Sequence, residues 1–332
     1  MKIRLLFILI ACICFHFAYG QNKEHQQSYA SFVQEAEQFY DTKDYQQSAE
    51  KYKAAFDQIE GKAYPNDRYN AACSYALAKD IDNSFYHLLR LANSMTKFSN
   101  YDHLTSDTDL NILHKDKRWE ELTAIVKANK VELEKDFDKP LVAMLDTIYQ
   151  EDQSYRMQID AIEKEHGRDS KEMQDHWTLI NEKDSINLIK IKKILDERGW
   201  LGSNIVGRKG NSTLFLVIQH ADMETQVKYL PMMREAVQLG NARASSLALL
   251  EDRVALKQGN RQIYGSQIGR DQETGDFYVS PLIDPENVDK RRAEVGLGPL
   301  ADYVGHWDMT WDIEKHKANT VKIEAAEKEN KQ

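Results

Sequence analysis

Cysteine is scarce in this chain: three occur among 332 residues, with Cys12 and Cys14 near the start and Cys73 alone in the body. A disulfide framework is therefore excluded, and the fold must rest on an ordinary apolar core. No His-Glu-x-x-His, paired-histidine or multi-cysteine spacing occurs, so no metal site and no cofactor are expected. A glycine-rich phosphate loop is missing, and so is the Gly-x-Ser-x-Gly turn of a serine hydrolase. Basic excess is also lacking: the formal charge is -9, without a cationic stripe, which argues against nucleic acid as a partner. After the first residues no long apolar run follows. The densest patch, Phe215 to Ile218, is flanked by Thr213 and Gln219, far short of the about 20 residues a membrane span needs.

What is present begins at the amino terminus. Lys2 and Arg4 precede an apolar stretch, Leu5 to Phe17, that closes on Ala18-Tyr19-Gly20 before Gln21. A basic start, a short apolar segment and small residues three apart are the parts of a secretory signal. Residues 1–20 thus read as a cleavable signal peptide, and the protein is expected to act outside the cytoplasm, periplasmic or secreted. Loss of Lys2 and Arg4 would take the formal charge from -9 to about -11. An alternative is lipid attachment, because Leu9-Ile10-Ala11-Cys12 resembles the box before a bacterial lipoprotein cysteine. Against it, Cys12 is followed by the apolar Ile13-Cys14-Phe15. Membrane contact is expected only if Cys12 carries a lipid.

Residues 28–130 contain an internal repeat. Phe32, Ala36, Phe39, Ser48, Tyr52 and Ala55 recur 37 residues on as Tyr69, Cys73, Ala76, Phe85, Leu89 and Ala92. Each unit reads as two helices joined by a polar turn, Asp41-Thr42-Lys43-Asp44 and then Lys79-Asp80-Ile81-Asp82. Small residues at the crossing points let antiparallel helices approach, and Cys73 takes one of those positions. These residues, with Asp44-Tyr45, resemble the tetratricopeptide repeat; Ser48 stands where alanine is usual, and the second copy fits loosely. Asp107 to Lys127 then reads as a terminating helix, with Leu110, Leu113, Trp119, Leu122 and Val126 covering the last repeat. The resemblance implies a small surface on which a protein partner could dock. The plain alternative is a structural prefix.

A charged stretch, Lys127 to Pro140, reads as a boundary, and residues 140–305 as a second, mostly helical domain with a small β-hairpin. The tail, 314–332, is charged and lacks a core face, as a frayed helix or a disordered segment would. Helix 140–165 carries Leu141, Leu145, Ile148, Tyr155, Ile159 and Ile162 at helical spacing, broken by Asp152 with Arg156 one turn on. The next helix has a seam of Met173, Trp177, Ile180, Ile191 and Ile194, on which Asp184 and Asn187 also lie. A carboxylate on a buried face is costly unless it is paired. Either a core network with Arg156 or another arginine compensates these groups, or the seam opens to solvent at that level, or the two breaks face one another and line a polar pocket. His220 ends an apolar helical run, where its proton affinity can be tuned. Gln262 to Gln267 alternates at strand period and Asp276 to Val279 answers it, which predicts the hairpin.

Several short motifs in this region carry a resemblance: Asp152-Gln153 with Arg156, Gly199-Trp200, Gln219-His220-Ala221-Asp222, Asp252-Arg253, Gly259 with Gln262, and Tyr264-Gly265-Ser266-Gln267. With Arg291-Arg292 and Gly296-Leu297, they are similar to a bacterial domain of unknown function, number 6624, over about Leu141 to Tyr303. Ser266 stands where threonine is expected. The resemblance implies no activity.

Three functions follow from the residue types. The first is an interaction protein that docks a partner through its repeats and binds a polar ligand with Gln153, Arg156, Gln219, Asp222, Arg253, Gln262, Tyr264, Ser266 and Gln267. The second is a hydrolase-like enzyme in which His220, with Asp152 or Asp252, activates water. In the third, the polar residues form a rigid hydrogen-bonded core.

Overall fold

The computed structural model describes residues 28–271 and 274–329. The segment read as a signal peptide, with Cys12, lies outside the described residues. The chain is mainly helical with one two-stranded hairpin. It divides into two compact units at Lys135/Asp136. No helix among the described residues is long and apolar enough to cross a membrane.

The first unit opens with two helix pairs: α1 (28–41) with α2 (Tyr45–Asp57), and α3 (Pro65–Leu77) with α4 (Ile81–Ala92). The turns match in detail. Lys43 and Lys79 both take left-handed backbone, φ 64° and 65°, and the next residues, Asp44 and Asp80, cap α2 and α4 through their side chains. These positions correspond at a spacing of 36 residues, one fewer than the sequence pattern suggests. At this register Ser48 meets Ser84 and Tyr52 meets Leu88, all buried. Alanines make the close crossings possible: Ala36, Ala49, Ala55, Ala71, Ala72 and Ala76 are at most 1% exposed. Serine at position 48 has a specific partner, since its hydroxyl is 2.8 Å from that of Ser74 across the α2–α3 contact.

Where one terminating helix is expected, the chain makes three pieces: α5 (Tyr101–Ser106), a 3-10 helix (Thr108–Lys115) and α6 (Arg118–Leu133). Asp116 causes the second break by accepting from the Arg118 amide and pairing with its guanidinium. Leu110, Leu113, Leu122 and Val126 are nevertheless fully buried against α3 and α4, each contributing about 1.5–3 kcal/mol of burial.

The second unit is built on α7 (Lys139–Arg156), α8 (Ile159–His166), α9 (Lys171–Arg198), α10 (Ser203–His220), α11 (Met223–Gln238) and α12 (Ala244–Lys257). Asp138 caps α7, with Pro140 in its first turn, and Gly199 ends α9 with φ 70°. The core joins Leu145 and Ile148 of α7, Ile191 and Leu195 of α9, Leu214 and Ile218 of α10, Met233 of α11 and Leu250 of α12. Two expectations change here. The long first helix stops at Arg156, leaving Ile159 and Ile162 half-buried on α8, and Trp177 is 43% exposed rather than part of the seam.

The hairpin pairs β1 (Ile268–Arg270) with β2 (Phe277–Val279), antiparallel, with Gly269 opposite Tyr278. Residues 262–267, expected as its first strand, make one isolated bridge, Gln262 with Leu282, and otherwise form a loop, because the amides of Ile263, Tyr264, Ser266 and Gln267 are taken by side chains rather than by a ladder. After the hairpin come α13 (Val288–Glu294), α14 (Leu300–Val304) and α15 (Ile313–Glu329). The charged tail is thus helical over its described part, and it is held: His316 and Thr320 are buried, and Glu324 pairs with Arg261 at 2.7 Å.

Candidate functional site in the second unit

The two polar breaks on α7 and α9 meet. Asp152 is 1% exposed, and Arg156 bridges it to Asp184: one guanidinium nitrogen lies 3.3 Å from Asp152 Oδ1 and the other donates to Asp184 Oδ2 at 2.6 Å. The Gln153 side chain donates to Asp152 Oδ2 at 2.6 Å. From α10, His220 brings Nδ1 to 3.0 Å from Asp152 Oδ1. Burial alone would raise the Asp152 carboxyl. The hydrogen bond and field of His220, with the charge of Arg156 and the Gln153 amide, outweigh it and hold the group below its ordinary value. With Nδ1–H donating to the carboxylate, a neutral His220 ring keeps its lone pair on Nε2. No described residue hydrogen-bonds to Nε2, and the side chain is 19% exposed.

Arg253 of α12 approaches the same helix end. Its Nη1 donates to the Gln219 carbonyl at 2.7 Å and its Nε to Gln267 Oε1 at 3.0 Å. Among the described residues no carboxylate lies within ion-pair distance of this guanidinium. Burial pulls its proton affinity below the ordinary value, Tyr303 opposes this, and Arg156 adds to it. Lys257, one turn further along α12, is lowered by burial and then by Arg253. Asp222 opposes the lowering at Lys257. Several buried polar atoms near these helices are also unpaired: Gln219 Oε1, Asp184 Oδ1 and both amide atoms of Asn187. Such groups cost about 1–3 kcal/mol each unless a further partner satisfies them.

The other candidates sort away from this cluster. Asp252 is fully buried, and its carboxylate accepts the amides of Ile263 at 2.6 Å, Tyr264 at 2.9 Å and Ser266 at 2.9 Å. An aspartate so committed to backbone is not placed to work with His220, so of the two partners considered for it, Asp152 is the one in contact. Gln262 donates to the carbonyls of Gln267 and Ser280 and accepts from the Gln267 amide, fixing both ends of the loop. The carbonyls of the loop are held from outside: Arg291 takes Ile263, Arg292 takes Tyr264, and the Tyr303 hydroxyl takes Ser266. The Ser266 hydroxyl accepts from the Gln267 side chain, a role threonine could also fill. Asp222 is exposed and caps α11 through the Thr225 amide. The motifs therefore divide into a scaffold (Asp222, Asp252, Gln262, Tyr264, Ser266) and a polar cluster (Asp152, Gln153, Arg156, Gln219, His220, Arg253, Gln267). Tyr303 and Lys257, which no motif singled out, join the edge of the cluster.

This arrangement lies inside the matched region of the family of unknown function DUF6624, whose model covers residues 135–314. The chain belongs to that family. No curated protein and no solved structure gives a significant match.

Proposed function

We propose that this is an exported binding protein whose second unit takes a small anionic ligand, with Arg253 as the anchor. The observation that carries the reading is the half-buried Arg253 guanidinium, which has two hydrogen bonds to neutral acceptors and, among the described residues, no carboxylate within ion-pair distance. An ionised group taken from water without a counter-charge is costly, and a ligand carboxylate, phosphate or sulfate would supply one in bidentate geometry. Arg156 is different, being already neutralised by Asp152 and Asp184. The test is thermal unfolding in phosphate, sulfate or citrate against chloride at matched ionic strength. A ligand at a hundred times its Kd is expected to add about 2.7 kcal/mol. Arg253→Met, which keeps the bulk of the side chain, is expected to abolish the gain. Equal gains in both proteins, or none beyond chloride in the native one, would reject the reading.

A second reading is favoured by the 3.0 Å contact between His220 and Asp152. Asp152 orients the ring, and Nε2 is free to take a proton from water attacking an anionic substrate. On this reading His220→Gln lowers kcat by about 10²–10⁴-fold on a substrate that both proteins bind equally. A ligand that is bound by both and turned over by neither leaves the site a binding site alone.

A further inference from the structure

The first unit holds a second cluster, unrelated to the ligand reading of the other unit. Tyr69 and Cys73 lie one turn apart on α3, and Asp107, between α5 and the 3-10 helix, and Asp109, in the first turn of that 3-10 helix, come against them. One ligand atom from each of Cys73, Asp107 and Asp109 lies within 4.8 Å of the other two. Cys73 is 4% exposed, with Sγ 3.7 Å from Asp107 Oδ2. His103 stands at the mouth, its Nε2 3.8 Å from the same oxygen. A cleft of about 420 Å³ opens onto these groups.

A packing role accounts for a small residue at position 73, and Asp107 caps the 3-10 helix by accepting the Asp109 amide on Oδ1 at 3.0 Å, but neither role accounts for the Asp109 carboxylate beside them. Neither Asp107 nor Asp109 faces a lysine or arginine within ion-pair distance among the described residues. Their support comes from behind instead. The Tyr69 hydroxyl donates to Asp107 Oδ2 at 2.9 Å and the Tyr40 hydroxyl to Asp109 Oδ2 at 2.5 Å. Hydrogen bonds of this kind orient metal-ligating carboxylates.

We propose that Cys73, Asp107 and Asp109, completed by His103, bind a divalent cation of the zinc class. Sulfur, carboxylate and imidazole are all zinc ligands, whereas calcium and magnesium select oxygen alone. Binding exchanges the thiol proton for the metal: the S–H bond breaks, an S–metal bond forms, and one proton passes to the buffer. Two carboxylates and a thiolate then face two positive charges.

Cobalt(II) reports directly on sulfur ligation. Titrating the purified full chain is expected to give one equivalent of binding, with an intense near-ultraviolet charge-transfer band that zinc bleaches. Calorimetry in buffers of different ionisation heat is expected to read about one proton released. Cys73→Ser should remove the band. Asp109→Asn, at a half-buried position, should weaken zinc binding at least 10-fold with an unchanged circular dichroism spectrum. Absence of the band in the native chain overturns the proposal. So does zinc affinity that is unaltered in Asp109→Asn, the variant that decides the matter if Cys73→Ser does not fold.

Discussion

Replacing Asp252 by alanine is expected to destabilise the second unit by about 3–5 kcal/mol, among the largest effects of any single substitution in the chain. The side chain is 0% exposed, and the amides of Ile263, Tyr264 and Ser266 all end on its two oxygens. Alanine would leave these three donors without acceptors in a place that water reaches poorly, and each buried orphan costs about 1–3 kcal/mol. The loss should exceed that from Asp222→Ala, where an exposed cap is removed at about 1 kcal/mol. Asparagine at position 252 keeps one acceptor oxygen and presents an NH2 group to a backbone donor, so an intermediate loss is expected. Urea unfolding measures the difference, and amide hydrogen exchange at the three donors locates it. Native-like protection of those amides in Asp252→Ala would refute the assignment of Asp252 as the staple of this loop.

Acid should weaken the first unit through His87. This ring is buried, stacks on Tyr75, and lies 3.2 Å from an Arg68 nitrogen through Nδ1. Burial, then Arg68 and Arg90, push its pKa down to about 4, with Asp80 opposing. Protonation would set an imidazolium against a guanidinium, so the folded ring stays neutral where the unfolded one, near 6.5, takes up a proton. The unfolded state therefore binds more protons between the two values, and stability falls as pH drops through that window. At 1.36 kcal/mol per unit the loss is about 3 kcal/mol, complete below pH 4 and absent above about pH 7. His87→Gln can offer Arg68 an acceptor without titrating, and should flatten this part of the profile. Hydrogen exchange in α4 at pH 7 and pH 4.5 compares the two proteins; equal slopes would remove His87 as the cause.

Helical periodicity made much of this architecture legible. Leu141, Leu145 and Ile148 announced the buried face of α7, and the misplacement of Asp152 and Asp184 on apolar stripes pointed to the groups that Arg156 joins. The alternation over Gln262 to Gln267 has the period of a strand, yet the amides of Ile263, Tyr264 and Ser266 end on one carboxylate instead of on a neighbouring strand. That acceptor, Asp252, lies eleven residues before Ile263 on another element, beyond any local pattern. Spacing alone points Trp177 inward, yet it is largely exposed, while Ile180 one turn later is buried. Roles within the motifs were harder still. Adjacent residues Asp252 and Arg253 look alike as polar interruptions of one helix, yet one faces the loop amides and the other the end of α10. The Cys73 cluster offered no spacing to read, since its partners arrive 34 residues later from a break between helices.

That adjacency has a thermodynamic consequence. Asp252 grips the amides of the loop, and Arg253, the next residue on a rigid helix, grips Gln267 at its end. An anion that draws the guanidinium away from Gln267 must loosen the loop, whereas one that takes only the free edge of the guanidinium leaves the whole clasp tightened. Occupancy and loop opening are then reciprocally coupled, so whatever a ligand does to exchange at Ser266, a change in the loop must return to the ligand's affinity by the same factor.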